Sequence, residues 1–234
     1  MAETITIQAS DGSGTFTAYC AIPGSGSGPG VLCIQEIFGV NHAMRDIANY
    51  WASQGYIAVA PDLFWRQEPG VDITDQTEEE WAKAFELYQG FDADKGIEDL
   101  KATAAHMRAL AGCNGKVGTV GFCLGGKLAY MLACRADLDA NVGYYGVGIE
   151  DMLDEAAHIS APLMLHIAEE DGFVTKEAQA AVRQGLAGNA HAELHSYPGM
   201  DHAFARIGGK PYDEENAALA NGRTATLFER VLKG

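Results

Sequence analysis

Gly121-Phe122-Cys123-Leu124-Gly125-Gly126 constrains this chain more than any other stretch. The apolar run from Lys116 to Phe122 predicts a strand entering it, and the pattern from Leu124 to about Cys134 predicts an amphipathic helix leaving it. A side chain held on so sharp a strand-to-helix turn needs small neighbours, and the glycines supply them. The same turn puts the Cys123 sulfur at a helix N-terminus, where free N–H groups and the helix dipole stabilise a thiolate. A free cysteine is more often only a small buried hydrophobe. Reading Cys123 as a nucleophile therefore depends on partners elsewhere in the chain.

The remaining elements follow in order. Glu3 to Gln8 and Thr15 to Ile22 alternate apolar and polar residues and read as an antiparallel edge pair. Residues 23–30, a Gly/Ser/Pro run, read as a flexible surface loop. Val31 to Gln35 is a buried strand, followed by a helix from about Asn41 to Gln54 that Gly55 closes. A strand at Tyr56 to Ala60 leads into a loop-like stretch from Asp62 to Asp75. Thr77 and Asp92 are placed to cap helices ending near Gln89 and Leu110, and Asn114-Gly115 turns into the strand before Cys123. Beyond it come strands at Ala140 to Tyr145, Pro162 to Ala168 and Ala192 to Tyr197, with helices at about Lys176 to Leu186 and Glu214 to Leu232. Strands alternating with helices after an antiparallel opening predict a mostly parallel sheet with helices on both faces, with its site at the carboxyl ends of the strands. At 234 residues the expectation is a single α/β domain over residues 1–234.

Charge and cysteine usage narrow the function. Thirty-two acidic against 16 basic side chains leave a formal charge of −16, which repels nucleic acid and anionic membrane surfaces. An anionic substrate would need a local cation inside the site. The expected setting is cytoplasmic, since no signal-peptide pattern or spanning apolar stretch is read. Five cysteines without zinc or C-x-x-C spacing predict reduced thiols and no structural metal. No long apolar seam marks an interface, so a monomer is expected.

In an α/β-hydrolase the nucleophile, acid and histidine follow in that chain order, each after a strand. Here Glu169-Glu170-Asp171-Gly172-Phe173-Val174 follows one strand, and Pro198-Gly199-Met200-Asp201-His202-Ala203-Phe204 follows the next. Asp171 and His202 are the candidate partners of Cys123, with Glu169 and Glu170 as competing acids. Of the other histidines, His42, His106, His158, His166, His191 and His195 fall in helices, in strands or before the elbow. An oxyanion hole would use the N–H groups of Leu124 and Ile37. Glu36, beside Ile37, opposes a thiolate unless a cation such as Arg206 balances it.

Gln35 to Asn41, Pro61 to Leu63, Gly121 to Gly126, Gly143 to Gly148 and Gly199 to Arg206 together resemble the dienelactone hydrolases. The likeness extends to the helix after Thr77 and to Ala-Leu-Ala-Asn at 218–221, nearly the whole chain. It implies an α/β-hydrolase fold and no cofactor. It also implies hydrolysis of the enol-lactone ring of dienelactone to maleylacetate during chlorocatechol breakdown. By the same resemblance the triad is Cys123, Asp171 and His202, Glu36 holds the resting thiol, and Arg206 binds the substrate carboxylate. Substrate binding would then draw Arg206 from Glu36, freeing Glu36 to take the thiol proton. One position departs: well-known members carry a second carboxylate-binding arginine where this chain has Trp81. Trp81 either packs on the core or lines the substrate site, and Lys83 and Arg66 are nearby cations. Two other readings stay open: a hydrolase of less anionic lactones or esters, and a binding or thiol-sensing protein without turnover.

Overall fold

A computed structural model describes residues 1–234, which form two compact units, Met1–Val117 and Gly118–Gly234.

In the first unit β1 (Ala2–Gln8) pairs antiparallel with β2 (Thr15–Ala21), with Ile5 opposite Ala18. β2 pairs antiparallel with β4 (Ile57–Pro61), and β4 runs parallel to β3 (Gly28–Ile34). β1 is thus the edge strand, with exposed and buried side chains alternating near its end, while β4 is buried throughout. Three helices complete the unit, α1 (His42–Ser53), α2 (Glu78–Gly90) and α3 (Ala93–Ala109). Their starts are chemically specified. Asn41, Thr77 and Asp92 each accept a backbone N–H from the first turn with a side-chain oxygen. At α2 the Glu80 carboxylate turns outward to Thr74, taking both its N–H and its hydroxyl, so it fastens the preceding loop to the helix.

The glycine-rich run differs from expectation. β3 begins at Gly28, so the last third of that run is strand rather than flexible loop. A Cβ on Gly28 would lie 2.1 Å from the Gly55 carbonyl oxygen, and one on Gly30 would meet Met107 at 2.8 Å. These glycines serve close approach, which composition alone does not distinguish from mobility.

In the second unit the part of β5 (Cys113–Phe122) from Gly118 onward, β6 (Ala140–Tyr144), β7 (Leu163–Ala168) and β8 (Ala192–Tyr197) pair in that order, all parallel. Parallel neighbours need crossovers, supplied by α4 (Leu124–Arg135) and α5 (Lys176–Gly185). α6 (Glu214–Phe228) is followed by a π-helical turn at Glu229–Lys233, so the predicted last helix is two pieces. A 3-10 helix at Glu150–His158, not anticipated, packs Ile149 and Ala156 with Tyr130, Leu165 and Val182. α4 is buried along nearly its whole length because glycines let it lie directly on β6. A Cβ on Gly126 would come within 2.5 Å of the Tyr144 carbonyl oxygen, and one on Gly143 within 2.7 Å of the Gly126 oxygen. No helix is long and apolar enough to cross a membrane.

Candidate active site

Three non-glycine residues have positive φ: Cys123 at 55°, Tyr145 at 38° and Ala203 at 64°. Cys123 and Tyr145 directly follow strands of the second unit and Ala203 lies in the loop after its last strand, where such strain is tolerated only when the surroundings over-determine it. At Cys123 that determination is visible. Its N–H donates to the Tyr144 carbonyl at 3.1 Å, and its carbonyl accepts from Gly126 and Lys127, closing the first turn of α4. A Cβ on Gly121 would fall 2.0 Å from the Gly125 carbonyl oxygen. The turn therefore closes only with glycine at 121, and it leaves the Cys123 side chain partly exposed. Leu124 is the first residue of α4, so its N–H has no partner within the helix.

Asp171 and His202 meet although 31 residues separate them. His202 Nδ1 lies 2.9 Å from Asp171 Oδ2, and both side chains are buried. The other Asp171 oxygen accepts the N–H groups of Phe173 and Val174, which fixes the carboxylate plane. The competing acids are engaged elsewhere, Glu170 with Lys176 at 2.8 Å and Glu169 with Arg183 at 3.8 Å. Burial by itself would lower the His202 pKa. The hydrogen bond it donates to Asp171, then that to Cys123 and the charges of both, outweigh burial and hold the imidazolium up to about 10. With Nδ1 turned to Asp171, Nε2 is the nitrogen left for the sulfur.

Several supporting residues escaped sequence reasoning. Asp201 accepts the N–H groups of Gly172 and His202 on one carboxylate oxygen, so it ties the loop after β7 to the loop after β8. The Glu170 N–H donates to the Met200 carbonyl across the same two loops. Tyr145 and Phe173 set ring edges against His202, with centroids 5.0 and 4.8 Å away. Their signal, an aromatic beside each turn, is too common to single out in advance. Arg206 lies four residues past His202, half-buried, and its N–H closes a turn on the Ala203 carbonyl.

The remaining predicted residues belong to the first unit. Glu36 and Ile37 are buried in the segment after β3, where Gly39 at φ 77° passes so close to the Val71 carbonyl that a Cβ would sit 1.9 Å from it. Gln35 holds that segment, accepting the Leu63 N–H at 3.1 Å, and Asn41 donates to the Ile73 carbonyl. Trp81, on α2, stacks on Phe85, sets an edge against Phe38 and donates its indole N–H to the Asp75 carbonyl at 3.0 Å. The two nearby cations are occupied. Lys83 pairs with Glu68 at 2.6 Å, and Arg66 binds buried Asp99 through two nitrogens while its guanidinium lies over Trp65.

A strained cysteine at a glycine-flanked elbow lies in the same unit as a buried Asp–His pair. The dienelactone hydrolase family model matches residues 16–232. The chain belongs to the dienelactone hydrolase family. It is 40% identical to a carboxymethylenebutenolidase of Pseudomonas putida, over 95% of this chain and 94% of that protein. It is 50% identical to a proposed carboxymethylenebutenolidase of Azospirillum brasilense, over 97% of this chain and 98% of that one. The crystal structure of a proposed dienelactone hydrolase from Klebsiella pneumoniae superposes with a TM-score of 0.84 at 29% identity, covering 97% and 98% of the two chains. The fold is that of the α/β-hydrolases, with a mostly parallel sheet, and the chain is a hydrolase of the carboxylic ester and lactone class.

Proposed function

We propose that this member opens the enol-lactone ring of dienelactone to maleylacetate, with Cys123 as nucleophile, as a step in chlorinated aromatic breakdown. The observation carrying the reading is the buried Asp171–His202 pair, whose imidazolium is held up by both the carboxylate and Cys123. A cation so placed favours a thiolate, and a carboxylate on Nδ1 fixes the ring's tautomer and direction.

The thiolate attacks the lactone carbonyl carbon, and the Leu124 and Ile37 N–H groups take the resulting oxyanion. Collapse breaks the ring C–O bond, leaving an acyl-thioester and an enolate that takes the His202 Nε2 proton and relaxes to the ketone, which leaves the imidazole neutral. His202 Nε2, now neutral, then removes a proton from water as it attacks the thioester; the carboxylic acid leaves, and the expelled thiolate takes its proton back from Glu36. An enolate departs without a strong general acid, so a thiolate suits this ester and would serve an amide poorly. Glu36 holds the resting thiol and takes its proton once Arg206 turns to the substrate carboxylate, which frees the attacking thiolate within a strongly acidic protein. Nothing in these steps calls for a metal or an organic cofactor. The family match runs through both units, which supports reading residues 1–234 as one domain. Five unpaired cysteines suit a reducing, cytoplasmic setting, and we read the enzyme as a monomer acting on a small molecule.

One observation favours a second substrate reading. Trp81 joins Phe85 and Phe38 in an aromatic cluster, while Lys83 and Arg66 are committed to carboxylates. This favours lactones or esters carrying less negative charge. The test is kcat/KM on dienelactone carboxylate and on its neutral methyl ester at two salt concentrations, with Cys123→Ala as control. Strong preference for the acid supports the first substrate, and equal or reversed preference supports the second. Hydrolysis surviving in Cys123→Ala would sink the whole site assignment, and turnover that Cys123→Ala abolishes would dispose of the thiol-sensing alternative.

A further inference from the structure

The nucleophile and its partners leave unexplained a chain of buried polar side chains in the second unit. Tyr144, His166 and Tyr197 come one each from β6, β7 and β8, and Thr224 from α6 lies among them. All four are at most 1% exposed. Burying this many polar atoms is costly unless each is satisfied, and here each has a partner.

The donors can be assigned in sequence. Arg223 can only donate, and its Nη1 lies 3.0 Å from the Tyr197 hydroxyl. The single Tyr197 proton therefore goes to His166 Nδ1, 2.7 Å away. Burial, then the nearby His195 and Arg223, keep His166 well below its ordinary pKa and hence neutral. Its remaining proton is on Nε2 and is donated to Thr224 Oγ1 at 3.0 Å. Tyr144 gives its own proton to Asn221 Oδ1 at 2.9 Å, so at 2.7 Å it accepts from Thr224, which shares its proton with the Ala220 carbonyl. The chain runs in one direction, from Arg223 through Tyr197, His166, Thr224 and Tyr144 to Asn221.

Each strand residue in the chain also holds backbone that sets the reacting groups. The Tyr144 carbonyl accepts the Cys123 N–H, and the next residue, Tyr145, packs on His202 while donating its own N–H to the His166 carbonyl at 2.8 Å. The Tyr197 carbonyl accepts the N–H groups of Glu169 and Met200, which open the loops bearing Asp171 and His202. From this geometry we infer that Thr224 is a positioning residue for the hydrolysis: through Tyr144, His166 and Tyr197 it holds the three strand ends at the spacing that brings Cys123, Asp171 and His202 together. This rests on the assignment of Cys123 as nucleophile.

The test is Thr224→Val, which keeps the shape and removes the hydroxyl, with Thr224→Ser as rescue. Besides kcat and KM, the readout is the rate of Cys123 alkylation by iodoacetamide at pH 7, followed by mass spectrometry, which needs no lactone. Because sub-ångström misplacement of reacting groups is felt strongly, we expect kcat and alkylation rate to fall roughly 10- to 100-fold in Thr224→Val, with KM within about twofold, and serine to restore both. If the valine variant does not fold, Tyr197→Phe cuts the same chain without changing volume and carries the same expectation. Wild-type alkylation and kcat in the folded variant, whatever its melting temperature, would overturn the inference. So would a serine variant as slow as valine. A wild-type protein that leaves the lactone intact would count against the proposed substrate, while the alkylation comparison would still decide the role of Thr224.

Discussion

Replacing Asp171 by asparagine removes one charge from the buried pair and little else. Asn Oδ1 can still accept the Phe173 and Val174 N–H groups that hold the loop. Its amide, however, presents N–H to His202 Nδ1, so the ring must accept there and carry its proton on Nε2, the nitrogen facing the sulfur. The imidazolium is raised from 6.5 to about 10 in the native protein. At 1.36 kcal/mol per pKa unit that is roughly 5 kcal/mol of preference for the charged ring. Asp171 and Cys123 are the two sources that act against burial, and with half of the net shift set to Asp171 its removal weakens the ion pair by roughly 2 kcal/mol, a factor on the order of 10 to 100. The wrong tautomer adds to that loss. Asp171→Asn should therefore lower kcat/KM by roughly 10- to 100-fold and slow Cys123 alkylation at pH 7, while the circular dichroism spectrum stays native. A folded variant retaining more than about half of both rates would refute the assigned ion pair, since an electrostatic preference of this size cannot vanish silently.

Other outcomes follow from the same geometry. Because the His202 pKa is higher in the folded than in the unfolded chain, its contribution is full below about 6.5 and is lost as pH rises through about 10. The stability gap between wild type and His202→Gln, measured by urea unfolding, should thus narrow across that window. Gly126→Ala would drive a methyl to 2.5 Å from the Tyr144 oxygen, and with only backbone on the other side it should cost about 1–3 kcal/mol and abolish activity. Iodoacetamide at pH 7 should label Cys123 first and Cys113 slowly, and spare Cys20 and Cys134, whose thiols burial pushes up to about 11, along with fully buried Cys33. Arg66→Leu should destabilise by about 3–5 kcal/mol in urea unfolding, since it strands the Asp99 carboxylate at 1% exposure.

Where chemistry is local, the sequence alone determined the outcome. A glycine-flanked cysteine between a strand and a helix has few backbone solutions, so the elbow was legible, as were the caps at Asn41, Thr77 and Asp92, which act within three residues. The order of cysteine, acid and histidine was legible for a similar reason, since each follows a recognisable strand. Other features needed distance in space. Gly28 and Gly30 looked like loop because the carbonyl and side chains that demand their smallness lie far along the chain. Spacing alone does not separate Asp171 from Glu169 and Glu170, though its place before Gly172 at the turn favours it; the contact with His202 itself is made by loops that Asp201 ties together. His166 read as an ordinary strand histidine, and only the packing of α6 put Thr224 against it and made it a link between strands. Local backbone preference is written in neighbouring residues. Which buried polar atom finds which partner is decided by the packing of elements tens of residues apart.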